Sequence, residues 1–175
     1  PQGIGDFLRA YFHVKSGDWE GNQPFPLKAM TAEELARLPT YYVMDRDVDM
    51  AATVAPFMPT PEQIAACSWL TDEDLAFYAN EFDRTGFQGG LNWYRCTTVP
   101  GMQADMELFA GKKLEAPCLF IGGDRDWGIH QTAGALPAME AGCPAYRGTF
   151  LVSGAGHWVQ QEAAGEVVEV LRGFL

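Results

Sequence analysis

Two stretches near the C-terminus decide the fold: FIGGDRDW, residues 120–127, and GAGHW, residues 154–158. In each, an apolar run ends in glycine, which is typical of a buried strand that leads into a turn. The first stretch carries Asp124 and Asp126, and the second carries His157. The carboxyl ends of parallel strands meet at one edge of a sheet. We therefore expect these acids and the histidine to lie close together.

The residues around these stretches predict a strand–helix–strand–helix unit. Residues 116–122 and 149–153 suit strands, and residues 131–141 and 161–175 suit helices. Such a unit forms a right-handed crossover in a parallel sheet. Two parallel strands alone leave their faces uncovered, so we expect the sheet to continue in residues outside this chain. The predicted fold class is α/β, with part of a parallel sheet flanked by helices over residues 111–175.

Residues 1–110 are predicted to form a mainly helical lid over that sheet. Threonines at positions 31, 60 and 71 stand where an N-cap is expected, each followed by acidic residues or proline. The predicted helices cover residues 6–13, 32–38, 61–69 and 72–86, with a further helix that opens near residues 91–96.

Composition and charge limit the classes of partner. The chain has 175 residues, 47% of them apolar, which suits a globular protein, and a net charge of −11. An acidic surface repels phosphate backbones and anionic lipid, so we expect neither nucleic acid nor a membrane as a partner. No apolar run approaches the ~18 residues of a membrane helix.

The four cysteines do not predict a metal site. They form no CxxC pair, and no cysteine–histidine spacing matches a zinc site. Unpaired cysteines fit a reducing compartment, so we expect a cytoplasmic protein.

His157 is the candidate general base, because it lies in a loop at a strand end and histidine is the side chain that most often serves as a general base. Its partner is Asp126 or Asp124, since a carboxylate there can hold the imidazole tautomer. We favour Asp126, which lies deeper in the loop, and Asp124 could cap the turn. Residues 126–128, DWG, look like the turn around a nucleophile, but such a turn needs a small residue where Asp124 stands. No GxSxG occurs, so we expect the nucleophile outside this chain.

The stretch FDRTGFQGGLNWYR, residues 82–95, resembles the lid segment of soluble epoxide hydrolases of the α/β-hydrolase superfamily. The resemblance continues through GGDRDW and GHW. It covers residues 70–175 well and residues 1–69 loosely. It implies the C-terminal part of an α/β-hydrolase fold with a helical lid.

The resemblance also implies an activity. Such enzymes open a small hydrophobic epoxide by attack of an aspartate, and a His–Asp pair then activates water to hydrolyse the ester. Here the base would be His157, its acid Asp126, and Tyr94 would donate to the epoxide oxygen. The second lid tyrosine of the family would be Tyr41 or Tyr42.

Four aromatic residues adjoin the implied site and could line an apolar substrate pocket: Phe87, Trp93, Trp127 and Trp158. The enzyme would need the N-terminal half of the same hydrolase for its nucleophile, so this segment alone is predicted inactive. No cofactor or metal is implied, and a homodimer is an open alternative.

Three alternative interpretations also fit the sequence. A haloalkane or haloacetate dehalogenase shares the aspartate nucleophile and the His–Asp pair, and stabilises a halide. A serine esterase has the same fold with another nucleophile. A non-catalytic protein of this fold would bind a small apolar ligand.

Overall fold

The two predicted strands pair in parallel in the computed structural model, which describes residues 3–175 apart from the side chain of Met106. Strand β1 runs over Cys118–Gly123 and β2 over Tyr146–Val152. Cys118 pairs with Tyr146 and Gly123 with Val152, with an irregularity between residues 118 and 120. Both strands therefore end at the same edge of the sheet, as the sequence predicts.

Helices precede and flank the strands. Before β1 the α-helices are α1 Ile4–Lys15, α2 Ala32–Leu35, α3 Met50–Val54, α4 Pro61–Ala66, α5 Asp72–Thr85, α6 Gln88–Thr98 and α7 Ala104–Glu107. After β1 they are α8 Ala135–Gly142, α9 Val159–Glu162 and α10 Ala164–Phe174. Short 3₁₀ turns cover Ala55–Phe57 and Trp127–Ile129. The α/β class is confirmed, and residues 3–110 are helical and irregular.

Threonine caps set the starts of three helices, as predicted. The hydroxyl oxygens of Thr60 and Thr71 each accept the backbone N–H three residues on, and the side chains of Gln63 and Asp74 accept in return. At Thr31 only half of this reciprocal pair forms. The Thr31 hydroxyl accepts the N–H of Glu34, but the carboxylate of Glu34 accepts the N–H of Lys28 and not that of Thr31.

Several predicted boundaries were wrong. The helix expected over residues 32–38 ends at Leu35, and the one over 61–69 ends at Ala66. The helix expected over 131–141 starts only after Gly134, which is in the left-handed region. The closing helix over 161–175 is two helices, α9 and α10, because Ala163 has φ −135° and ψ 46°. Cys67, inside the helix expected over 61–69, is in the extended region, where a helix cannot continue.

Helix α1 lies at the centre of the packing. Its Ala10 and Val14 belong to a cluster that also contains Trp127, from the loop after β1. Its Leu8 and Phe12 pack with Leu70 in a second cluster. A third cluster joins β2 to the last two helices through Val152, Val159 and Val167. Helix α1 therefore contacts both predicted regions, and the boundary at residue 110 stays a prediction.

Among the helices of residues 3–175, none combines the length and the apolar character that crossing a bilayer requires.

Candidate active site

The loops after the two strands are joined by backbone hydrogen bonds. The N–H of Asp124 donates to the carbonyl oxygen of Val152 at 3.0 Å, and the N–H of Arg125 donates to that of Ala155 at 2.9 Å. These bonds extend the strand pairing beyond the last residues of β1 and β2. The side chains on the two loops are thereby held at a fixed separation.

His157 and Asp126 meet across these loops. The imidazole Nδ1 of His157 lies 3.1 Å from each carboxylate oxygen of Asp126. The side chain of Asp126 is 13% exposed and that of His157 is 35% exposed. If Nδ1 carries the proton, its N–H donates a hydrogen bond to the carboxylate and Nε2 is free to accept a proton. The pair therefore has the arrangement of a general base and the acid that orients it.

The surroundings keep Asp126 ionised. Burial on its own raises the pKa of this carboxyl group, but the hydrogen bond from His157 and the nearby charge of Lys15 lower it. The N–H of Gly128 also donates to Oδ1 at 2.7 Å. The net result is a pKa below the ordinary value for aspartate. A charged Asp126 can hold the imidazole in one tautomer and stabilise its protonated form.

The alternative acid, Asp124, has a different partner. Its Oδ1 accepts the backbone N–H of Gly154 at 2.8 Å. This bond links the two loops, and the structure brings Asp126 rather than Asp124 to the imidazole. The catalytic roles of these residues stay predictions.

The end of helix α1 packs directly against the histidine loop. The N–H of His157 donates to the carbonyl oxygen of Lys15 at 2.9 Å. A Cβ atom added to Gly156 would lie 2.4 Å from the carbonyl carbon of Ser16, inside van der Waals contact. Only glycine fits there without a shift of the backbone.

Lys15 is buried beside the pair, in a setting unusual for an ammonium group. Its residue is 7% exposed, and Nζ donates to the hydroxyl oxygen of Tyr11 at 3.4 Å. Burial lowers the pKa of Lys15 to about 8, although the carboxylate of Asp126 opposes that shift. Nζ also faces four aromatic rings, with centroids at 5.0 Å for Tyr42, 5.1 Å for Tyr11, 5.8 Å for Trp158 and 5.9 Å for Tyr41.

The two tyrosines suggested as the second lid donor have different partners. The hydroxyl of Tyr41 is buried and donates to Asn22 Oδ1 at 2.6 Å, so its proton is already engaged. The hydroxyl of Tyr42 lies 3.5 Å from Asp126 Oδ1. Burial, followed by the charge of Asp126, raises the pKa of both phenols. Tyr41 therefore has a structural partner, whereas Tyr42 stands next to the acid.

Tyr94 lies on α6, where its residue is 63% exposed in this chain. The pKa of Tyr11 is raised by burial first and by the proximity of Tyr94 second. The Tyr94 phenol on α6 is therefore close enough to affect the Tyr11 phenol on α1. Tyr11 is also the tyrosine that accepts from Lys15.

The four predicted pocket aromatics belong to separate parts of the structure. Trp127 is buried in the cluster around Val14. Trp158 donates its indole N–H to the carbonyl oxygen of Phe12 at 2.9 Å. Trp158 and Phe87 both pack against the second cluster, which contains Phe12. Trp93 is 78% exposed. A single pocket lined by all four stays a prediction.

Sequence reasoning missed two charged residues, Lys15 and Glu162. Neither belongs to a recognisable motif, and each acquires its surroundings from residues distant in sequence. The only available signal was position along the chain, since Lys15 lies two residues beyond the helix predicted over 6–13 and Glu162 lies four residues beyond GHW. Within residues 3–175, no three histidine, cysteine or acidic side chains come together as a metal-binding group.

Parallel strand ends that present an acid first and a histidine second along the chain, with helices packed against them, are typical of the α/β-hydrolase superfamily. Within it, this chain is similar to the epoxide hydrolases. Epoxide hydrolase B of Mycobacterium tuberculosis is 41% identical over 115 residues, which are 66% of this chain and 31% of the relative. Epoxide hydrolase A of that organism is 43% identical over 115 residues, 66% of this chain and 34% of the relative.

A solved structure shows the same likeness. The epoxide hydrolase from an endophytic Streptomyces superposes with a TM-score of 0.74 and 28% identity, covering 99% of this chain and 46% of that one. No family model matches the chain. The chain spans about a third of the length of the curated relatives it matches.

Proposed function

We propose that the full-length protein hydrolyses small hydrophobic epoxides to diols through an aspartyl-ester intermediate. The observation that carries this proposal is the contact of His157 Nδ1 with the carboxylate of Asp126 at 3.1 Å. The relatives' names and the lid sequence around Tyr94 support the choice of epoxide as substrate. The nucleophilic aspartate lies outside these 175 residues, in the N-terminal half of the hydrolase.

In the first step, the nucleophilic carboxylate attacks an epoxide carbon and the carbon–oxygen bond breaks. Tyr94 donates a hydrogen bond and then its proton to the oxygen, which becomes a hydroxyl group. A phenol suits this task, because its O–H can donate a hydrogen bond to the oxygen as negative charge develops there. The product of this step is an ester between the enzyme and the opened substrate.

In the second step, Nε2 of His157 takes a proton from a water molecule as its oxygen attacks the ester carbonyl. Asp126 stabilises the imidazolium that forms. When the tetrahedral intermediate collapses, the bond to the substrate oxygen breaks and that oxygen takes the remaining proton of the attacking water, so the diol leaves and the carboxylate is restored. The imidazolium returns its proton to the Tyr94 phenolate. Water is the only co-substrate, so these steps balance without a metal or organic cofactor.

The arrangement of the chain follows from this function. We propose that residues 1–110 form the lid and residues 111–175 the C-terminal βαβα segment of the core. The four free cysteines support a reducing, cytoplasmic location.

His157→Gln in the full-length protein tests the proposal. An epoxide such as styrene oxide should still alkylate the enzyme, but hydrolysis should stall. Intact mass spectrometry should then detect an adduct of enzyme plus substrate, and peptide mapping should place it on an aspartate outside these 175 residues. An adduct on a residue of this chain, or full turnover by the variant, would contradict the assignment.

One observation favours a dehalogenase as the second candidate. Trp127 directly follows Asp126 in sequence, and its buried indole N–H has no hydrogen-bond partner within residues 3–175. An indole N–H can stabilise a departing halide. Release of halide from a haloacetate or haloalkane, with no diol from epoxides, would support this alternative.

A further inference from the structure

We propose that Glu162 is the positioning residue that holds the His157 loop in its catalytic geometry. This inference rests on the proposed function, because His157 is the base in that reaction. Glu162 itself would touch neither substrate nor water. It would act through the backbone on both sides of the histidine.

The carboxylate of Glu162 accepts three backbone N–H groups. Its Oε2 accepts from Gly156 at 2.9 Å and from Gly17 at 2.7 Å, and its Oε1 accepts from Trp158 at 2.9 Å. Gly156 and Trp158 are the residues directly before and after His157. One side chain therefore bonds both neighbours of the proposed base.

The third amide of the loop is also bonded. The N–H of His157 donates to the carbonyl oxygen of Lys15 at 2.9 Å. Three successive N–H groups, at residues 156, 157 and 158, thus have acceptors, two of them on Glu162. Hydrogen bonds to an ionised acceptor are the stronger kind, so the carboxylate dominates this set.

The same carboxylate ties the loop to the end of α1. Gly17 follows α1 and lies 145 residues from Glu162 in sequence. A Cβ atom on Gly17 would lie 1.8 Å from the carbonyl oxygen of Gly154, so the two backbones touch here. Arg125 adds a bond from its guanidinium to the carbonyl oxygen of Gly17 at 2.9 Å. The acid loop, the histidine loop and α1 therefore meet around one carboxylate.

The short helix α9 explains how Glu162 reaches the loop. Helix α9 spans only Val159–Glu162 and is separated from α10 by the non-helical Ala163. This turn folds the side chain of Glu162 back over the residues that precede it. Burial raises the pKa of Glu162. The three N–H donors lower this pKa and the charge of Asp18 raises it, both to a smaller extent than burial. Removing this carboxylate partly from water costs free energy, and its three hydrogen bonds offset that cost.

Glu162→Gln in the full-length protein is the test, with Glu166→Gln as the matched control. The carboxamide keeps the size of the side chain, but one of its two ends presents N–H groups where N–H donors need an acceptor. Glu166 is exposed near the start of α10 and has the same substitution available.

We expect Glu162→Gln to slow hydrolysis of the ester about 10- to 100-fold, since small misplacements of a catalytic group cost that much. Ester formation, which does not use His157, should change less than about twofold, so the ester should accumulate. KM should fall with kcat as a result. Equal loss of both steps, or wild-type kinetics, would overturn the proposal.

A substrate-free measurement separates this proposal from the proposed function. The Nδ1–H proton of His157 should give a downfield ¹H NMR signal while bonded to Asp126. This signal should broaden or vanish in Glu162→Gln and persist in Glu166→Gln. Amide hydrogen exchange at residues 156–158 should also become faster in Glu162→Gln. An unchanged signal and exchange would overturn the positioning role even in an inactive protein. If the signal is lost but wild-type protein makes no diol, only the epoxide function fails.

A second variant covers loss of folding. Glu162→Asp keeps the charge but shortens the side chain by one methylene group. It should fold and show the same selective loss of ester hydrolysis and of the NMR signal. Wild-type behaviour in both would overturn the proposal.

Discussion

The backbone N–H of His157 donates a 2.9 Å hydrogen bond to the carbonyl oxygen of Lys15, the last residue of helix α1. This contact brings an N-terminal helix of the chain against the loop that carries the proposed base. It requires that the two backbones approach without an intervening side chain. Gly156, just before the histidine, makes that approach feasible.

Gly156→Ala should therefore destabilise the protein strongly. The new methyl group would lie 2.4 Å from the backbone carbonyl carbon of Ser16, so α1 or the loop must shift. We expect the free energy of unfolding to fall by about 3 kcal/mol or more, in the range of overpacked cores. Urea denaturation of the full-length protein measures this. Gly165→Ala is the control, because its Cβ meets no atom of residues 3–175 within 4 Å. Equal stability of the two variants would contradict the close approach.

Asp126→Asn should abolish most of the activity while the fold persists. An amide cannot hold the imidazole in the required tautomer or stabilise its charge, and kcat should fall about 10³- to 10⁴-fold. Diol formation from an epoxide is the measurement. Asp124→Asn is the matched control, since that carboxylate bonds the N–H of Gly154 rather than His157. A larger loss in Asp124→Asn would reverse the assignment of the acid.

Tyr94→Phe should slow ring opening and leave ester hydrolysis little changed. Loss of one donor to a developing oxyanion costs about 10²- to 10³-fold in rate. Single-turnover kinetics resolve the two steps. Tyr146→Phe provides the comparison, because its hydroxyl bonds Thr149 on β2 and lies away from the proposed site. Unchanged ring opening in Tyr94→Phe would remove this tyrosine from the mechanism.

The buried Lys15 predicts an alkaline rise in stability. Its pKa is about 8 in the folded chain against an ordinary value of 10.5, so the unfolded state binds more protons between these values. The free energy of unfolding should therefore increase as pH rises from 8 towards 10, by on the order of 2 kcal/mol for this group. The gain is lost again as the pH falls through about 8. Above pH ~10 the raised pKa values of Tyr41 and Tyr42 oppose it, because unfolded tyrosines then ionise first.

Lys15→Met removes the titrating group, and the rise between pH 8 and 10 should disappear. Urea denaturation at closely spaced pH values compares the variant with the parent protein. Lys28→Met is the control, because that lysine is exposed. The same rise in Lys15→Met as in the parent would show that another group titrates there.

Local patterns predicted the elements that carry the site. The strands end where the glycines indicated, and the helices after Thr60 and Thr71 begin where the caps require. A cap hydroxyl bonds a backbone N–H only three residues further along the chain, so the sequence is sufficient to predict these helix starts. Helix ends were less readable, as the division of the closing helix at Ala163 shows. There the carboxylate of Glu162 bonds a loop from the other end of the chain.

The amino-acid sequence by itself determined that two parallel strands would present an acid and a histidine at adjacent tips, because apolar runs and glycine turns act over a few residues. It also carried the lid motif that indicated the family. Only the tertiary structure decided that Asp126 rather than Asp124 meets His157, that Lys15 is enclosed by aromatic rings, and that Glu162 joins Gly17 to the histidine loop. Those contacts join residues up to 145 positions apart. Burial and hydrogen bonding at such separations depend on how whole elements pack, which no local pattern encodes.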